Sequence, residues 1–184
     1  MRQQLRHHPD SRFAAVTSID VEVVRTRSDR LELSYIVTRE MNRIRMPAAA
    51  ANARGDGLWR HTCFEAFVRT SPGAGYYELN FSPSGQWAVY QFSSYRSGMR
   101  VADEIAEILI ELRSSPAGCT LQASLDTRRF AASPADRAWR LGLSAVIEDT
   151  NGGLSYWALA HAPGNADFHH ADNFTCEISP AVTP

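Results

Sequence analysis

The 184-residue sequence contains no lysine: its 19 basic residues are all arginine. That absence removes Schiff-base catalysis, a phosphate-loop lysine and a lysine ligand to a metal or haem, since each needs the primary amine. Cysteine is scarce as well. Cys63, Cys119 and Cys176 are odd in number, widely spaced and free of any CxxC pair, which argues against a disulfide framework or a zinc ribbon. No CxxCH occurs, so covalently attached haem is excluded. No charge of one sign dominates, with 19 basic against 20 acidic residues and a formal net charge of -1. Such a chain has no bulk positive field to draw it to nucleic acid. GxSxG, GxGxxG and P-loop motifs are missing too. No apolar run reaches the length of a membrane span, and the N-terminal MRQQLRHHPDSRFAAVTSID lacks a signal-peptide core. No membrane partner is expected, and the expected location is cytoplasmic.

What remains is a chain that is 44% hydrophobic, 10% aromatic and 21% charged, close to ordinary globular usage. Its length suits one domain, with a core expected from about residue 13 to 180. Strand signals dominate. Residues 13–24 and 30–38 alternate apolar and polar and read as a hairpin around Arg27-Ser28-Asp29. A loop rich in small residues follows at 46–57 and is the best candidate for a mobile or ligand-proximal segment. Residues 59–69, 75–82 and 86–95 read as an antiparallel meander joined at Ser71-Pro72-Gly73-Ala74-Gly75 and Ser82-Pro83-Ser84-Gly85. Residues 103–113 fit helix or strand by periodicity, and their neighbours favour strand. Further strands are expected at 118–125, 138–148 and 154–161, with Asn151-Gly152-Gly153 turning the last pair and 173–178 closing an edge. Ser133-Pro134 reads as the start of a short helical turn. Many short strands at this spacing predict an all-β protein, an antiparallel sandwich or barrel with little helix.

Period-2 geometry then sorts side chains by face. In the 59–68 strand, Trp59, His61, Cys63, Glu65 and Phe67 point one way and Phe64, Ala66 and Val68 the other. In the next strand Tyr76, Glu78 and Asn80 oppose Tyr77, Leu79 and Phe81. Trp59, His61, Glu65, Tyr76 and Asn80 are therefore expected to share one sheet face. An aromatic plate beside a carboxylate and an amide suits a sugar, whose CH face stacks while its hydroxyls need directional partners. The plainer reading packs Trp59 at a sheet rim and pairs Glu65 with an arginine such as Arg43. Cys63 and His61 would be parallel neighbours on one strand, not a nucleophile facing its base, so catalysis is not expected. Glu65 and Glu78 would suit glycoside chemistry only in a deep cleft. Met46, Met99, His61, His161, His169 and His170 supply candidate axial ligands for b-type haem. His61-Thr62-Cys63 with His169-His170 meets no known zinc spacing.

The segments LWRHTCFEAFV (58–68), YYELNFSPSGQWAVYQF (76–92), SYR (94–96), SYWALAH (155–161) and DFHHADNF (167–174) carry a resemblance. The chain resembles the DOMON-like family of bacterial single-domain proteins, related to family 9 carbohydrate-binding modules, from about Leu31 onward. The resemblance implies a jelly-roll-like β-sandwich of roughly ten strands. It also implies a non-catalytic domain that binds a sugar between aromatic rings beside a carboxylate. Trp59 and Glu65 match the aromatic and acidic positions. Trp157 or Phe168 would supply the second ring, with His169 and His170 in a loop able to close over the ligand. The wider group includes haem-binding domains with Met and His ligation, for which Met46 with His169 or His170 is the available pair. Structural calcium and a ligand-free interaction module stay open beside these readings.

Overall fold

The structure is a computed structural model that describes residues 1–11, 16–26, 29–38, 41–70, 73–130 and 138–179. Arg27 and Ser28 of the first expected turn, Ser71-Pro72 and the helical turn at Ser133-Pro134 lie outside the described residues. The all-β sandwich expected from strand spacing is what forms. Among the described residues thirteen strands make two antiparallel sheets, and the helical elements are short 3-10 turns.

β1 (Arg2–Gln4) and β2 (Arg6–His7) precede the long hairpin of β3 (Ser18–Arg25) and β4 (Arg30–Thr38). The meander is β5 (Cys63–Arg69), β6 (Tyr76–Phe81) and β7 (Trp87–Phe92), followed by the short β8 (Arg100–Val101). The ambiguous segment becomes a strand, β9 (Ile108–Ser115), paired with β10 (Gly118–Asp126). β11 (Trp139–Glu148) and β12 (Leu154–Ala158) form the last hairpin before β13 (Cys176–Ile178). One sheet has the order β1-β3-β4-β10-β9. The other runs β2-β12-β11-β5-β6-β7-β8, and β13 joins it beside the first residues of β11.

The N-terminal residues, too polar to announce a strand, tie the two sheets together. β1 pairs with β3 in one sheet and β2 with β12 in the other, and buried Leu5 between them donates its N–H to the Ile19 carbonyl at 2.9 Å. The core therefore begins well before residue 13.

Between the sheets, alternation delivers one set of side chains from each of the longer strands. Ile19, Val21, Leu31, Leu33, Tyr35 and Leu121 meet Phe64, Ala66, Leu79, Phe81, Val89 and Leu143, all fully buried. Each such side chain contributes about 1.5–3 kcal/mol of transfer free energy. Tyr35 stacks near Phe64 across the gap, and its hydroxyl donates to the Glu65 carbonyl at 2.6 Å, so a polar group in this core is satisfied.

The larger sheet is unusual in being buried on its outer face as well. Every residue of β6 is buried, because Phe67, Tyr76, Tyr90, Phe92 and Val146 are covered by Phe168 and Phe174 from the segment after β12. Close approach is needed here: a Cβ on Gly142 of β11 would lie 2.7 Å from the Asn173 amide nitrogen, and Asn173 in turn donates to the Phe168 carbonyl at 2.9 Å. Glycine lets the covering segment seat directly on the sheet.

Candidate functional site

The covering segment leaves part of this outer face open, and the opening is a cleft of about 710 Å³. Its floor carries Glu65 of β5 and Glu78 of β6. Its walls carry Trp59, Tyr90, Phe92, Tyr156 and Phe168, with Arg60, Arg96, Met99 and His169 at the polar margins. That size and mixture of apolar wall with a few polar groups is characteristic of small-ligand sites.

Trp59 does not sit on the strand. Residues Leu58–Arg60 form a 3-10 turn entered through Gly57, whose φ of 65° lies in the left-handed region that glycine occupies without strain. The turn swings the indole over the cleft, 37% exposed, and edge-on to Tyr90 at 5.8 Å. Tyr90 donates its hydroxyl to Asp56, which fixes the loop to β7. Burial, and then this bond to a carboxylate, pushes the Tyr90 phenol far above its ordinary value. The 46–57 loop is thus anchored beside the site, and Arg54 adds a bond to the Ile105 carbonyl at 2.7 Å.

On the floor, Glu65 faces Asn80 in the register of β5 and β6, with Glu78 diagonal to it. Asn80 donates to Glu78 Oε1 at 2.8 Å. Glu65 is only 3% exposed, yet none of the described residues donates a hydrogen bond to its carboxyl. Ser144, opposite Glu65 on β11, is also buried with its hydroxyl unpartnered. Burial first, and the neighbouring Glu78 second, push the Glu65 carboxyl well above the usual range, with Arg96 opposing the shift. Burial raises Glu78 in the same direction. The Arg43 pairing considered for Glu65 does not form; Arg43 engages the Thr150 N–H through its carbonyl.

Two loops close the site by clasping one another. Asp167 receives Arg96 Nη2 at 2.7 Å and the Tyr95 hydroxyl, and its Oδ1 accepts the His169 N–H at 3.1 Å. Burial favours the neutral acid, but the bonds from Tyr95 and Arg96 more than offset it and hold Asp167 below the ordinary range. Arg96 itself has φ 51°, a left-handed conformation that costs a non-glycine residue about 1–2 kcal/mol. The clasp and an N–H bond from Arg96 to the Tyr76 hydroxyl, 3.1 Å long, hold it there. Tyr76 OH lies 2.7 Å from His169 Nδ1, and His169 Nε2 lies 3.6 Å from Glu78. Burial, helped by Arg96, lowers His169 to about 4, so the ring is neutral at pH 7. The pattern fits a proton on Nε2, facing Glu78, with Nδ1 accepting from Tyr76.

The residues singled out in the sequence therefore separate. Trp59, Glu65, Phe168 and His169 line one cleft. Tyr76 and Asn80 lie buried beside its floor and support His169 and Glu78. His61 is outside it, exposed, with Nδ1 2.8 Å from Glu148 at the end of β11. Trp157 points into the inter-sheet core, where Nε1 donates to Ser155; Tyr156 faces the cleft instead. His170 turns outward and caps the 3-10 turn at Ala171–Asn173 by accepting the Asp172 N–H. Of the candidate haem ligands, Met46 packs against the inter-sheet core, His169 lies in the cleft beside Tyr76 and His170 caps its turn. Among the described residues no group of three or more His, Cys, Asp or Glu side chains is placed to hold a metal ion. Arg96, Tyr90 and Phe92 went unmarked, although period 2 puts Tyr90 and Phe92 on the face of Tyr76 and Glu78.

Solved structures similar to the chain share its fold. A Bacteroides uniformis protein assigned to carbohydrate binding aligns over 95% of this chain and 84% of its own, with a TM-score of 0.68 and 14% identity. A family 9 carbohydrate-binding module from Caldicellulosiruptor kristjanssonii, solved in complex with cellotriose, aligns over 100% of this chain and 87% of its own, at a TM-score of 0.58 and 11% identity. At these identities the likeness shows a common sandwich. No protein-family model matches the sequence, and no curated protein matches it.

Proposed function

We propose that the protein binds a carbohydrate in the cleft, holding it without cleaving it. The observation that carries the reading is the Glu65 carboxyl on the floor of a cleft walled by Trp59 and Tyr90, where it accepts no hydrogen bond from the described residues. Such a group takes its donors from whatever fills the cleft, and sugar hydroxyls are donors of the right kind. A half-exposed indole at the rim supplies the face on which a pyranose stacks. Arg96 and Arg60 add charged donors at the margin. The structures that share this fold include a module solved with cellotriose, which supports the same class of ligand.

Binding without turnover is supported by the placement of the acids. Burial raises both Glu65 and Glu78, whereas glycoside hydrolysis needs one carboxyl kept ionised beside one kept protonated. Cys63 is no alternative nucleophile: burial raises its thiol well above the ordinary value, and its sulfur contacts Asn80 rather than an imidazole.

The test is a calorimetric and tryptophan-fluorescence titration of wild type and Trp59→Ala against mono- and disaccharides, with haemin as a further arm. Saturable sugar binding is expected, weakened in Trp59→Ala by about 2 kcal/mol, or roughly thirtyfold. The melting temperature should change little, because the indole is already partly exposed. Sugar binding that survives Trp59→Ala unaltered refutes this site, and a shifted Soret band with no sugar binding refutes the ligand class.

A further inference from the structure

A second compartment of about 500 Å³ adjoins the cleft, and the two share Leu154, Tyr156 and Ala166 as wall. Its far side is polar: Asp10, Ser11, Asn165 and His8. All but Asn165 of this wall belongs to the N-terminal segment after β2, which is fastened to the cleft strand on both sides of Tyr156. The His8 N–H donates to the Tyr156 carbonyl at 2.8 Å, and the Tyr156 N–H donates to Ser11 Oγ at 3.2 Å. The half-buried Tyr156 ring, edge-on to Phe168 at 6.1 Å, stands between the compartments as an apolar surface common to both.

His8 holds this wall in place from within the fold. Only 2% of the residue is exposed, and its Nδ1 accepts the Asp10 N–H at 3.2 Å, which leaves the proton on Nε2. That nitrogen is buried with no acceptor among the described residues, although unpaired buried donors are rare in folded proteins. The ring is held edge-on to His161 at 4.7 Å. Asp10 and Asn165 are exposed at the mouth of the compartment and offer an acceptor pair and an amide, the groups that address adjacent hydroxyls.

We infer that the cleft and this compartment are one groove, that its ligand is an oligosaccharide of two or more units rather than a monosaccharide, and that Asp10 and Asn165 contact the outer unit. This rests on the carbohydrate reading of the cleft and extends it. One sugar stacks at Trp59 over Glu65. The next crosses the Tyr156 ring and meets the N-terminal wall. The tie between β2 and β12 thereby acquires a role beyond joining the sheets, since it builds half of the groove.

The experiment is calorimetry on the full chain with three homologous series: glucose, cellobiose and cellotriose; glucose, maltose and maltotriose; N-acetylglucosamine, chitobiose and chitotriose. In the series that binds, affinity should rise about tenfold from the monosaccharide to the disaccharide. The double variant Asp10→Ala/Asn165→Ala should abolish that gain and leave monosaccharide affinity as in wild type. Both side chains are exposed, so its fold should be intact by circular dichroism and melting. A monosaccharide that binds as tightly as its trisaccharide overturns the inference. So does a double variant that weakens every member of the series by one factor, or none. Either result leaves the carbohydrate reading standing, whereas failure of all three series to bind brings down that reading and this one together.

Discussion

Replacing Glu65 by glutamine should stabilise the protein while weakening its ligand affinity. Glu65 is a buried residue, accepts no hydrogen bond from the described residues, and lies beside a second buried acid, so its ionised form is disfavoured in the fold. Its folded pKa is therefore raised above the unfolded value. Below the ordinary carboxyl range near pH 4.3 both states hold the proton and the site costs nothing on this account. As pH rises toward the raised native value, the unfolded chain releases its proton freely and the native state does not, so wild-type stability falls. Glutamine has no proton to release, and removing Glu65 also relieves Glu78. At pH 7 Glu65→Gln should be more stable by about 1–3 kcal/mol, the usual cost of an unsatisfied buried polar group. For a chain of this length that is a rise in melting temperature of roughly 2–10 °C. Urea denaturation of both proteins at pH 4 to 8 measures it: the difference should open as pH increases and close as it falls. A Glu65→Gln variant that is less stable than wild type by a margin independent of pH would refute the reasoning, because the carboxylate would then have to be satisfied in the fold. Sugar affinity should fall in the same variant, since the amide offers the ligand's hydroxyls one acceptor oxygen where the carboxyl offers two.

Asp167→Ala should release the clasp between the loops that carry Arg96 and His169. Because Arg96 is half exposed, the global cost should stay below about 1 kcal/mol. Amide exchange should nonetheless accelerate at 94–98 and 165–170, with weaker ligand binding; unchanged exchange there would mean that the clasp does not order the loops. Gly142→Ala should cost about 1–3 kcal/mol by forcing Asn173 off the sheet. Since Asn173 holds the Phe168 backbone, ligand affinity should drop as well, and a variant with native stability would show that the covering segment shifts freely.

Alternation made much of the site readable. In β5 and β6 the polar set of Glu65, Glu78 and Asn80 and the apolar set of Phe64, Leu79 and Phe81 separate by period 2, and the structure puts them on opposite faces. The pattern overran its element at the start of β5. Trp59 and His61 continue the rhythm on paper, but Gly57 admits a 3-10 turn that ends before the strand begins, so Trp59 reaches the cleft and His61 turns to Glu148. In β12 both faces are largely apolar, so composition could not choose between Tyr156 and Trp157. The pairing of Trp157 with Ala145, whose side chain faces the inter-sheet core, decides it.

By itself the sequence determined the all-β class, the boundaries of most strands and the acids and rings available on one sheet face. Those properties follow from local periodicity and turn chemistry, which act over a few residues. Tertiary structure alone decided which of those groups meet. The Arg96–Asp167 clasp joins residues 71 apart in sequence, and Phe168 and Phe174, far along the chain, cover the face of the sheet that carries Glu65. The polar Arg2–Gln4 and Arg6–His7 became strands because open edges of both sheets needed their backbone groups. Hydrogen bonding at an edge, and burial by a segment distant in sequence, are properties of the assembled sandwich, and no local pattern encodes them.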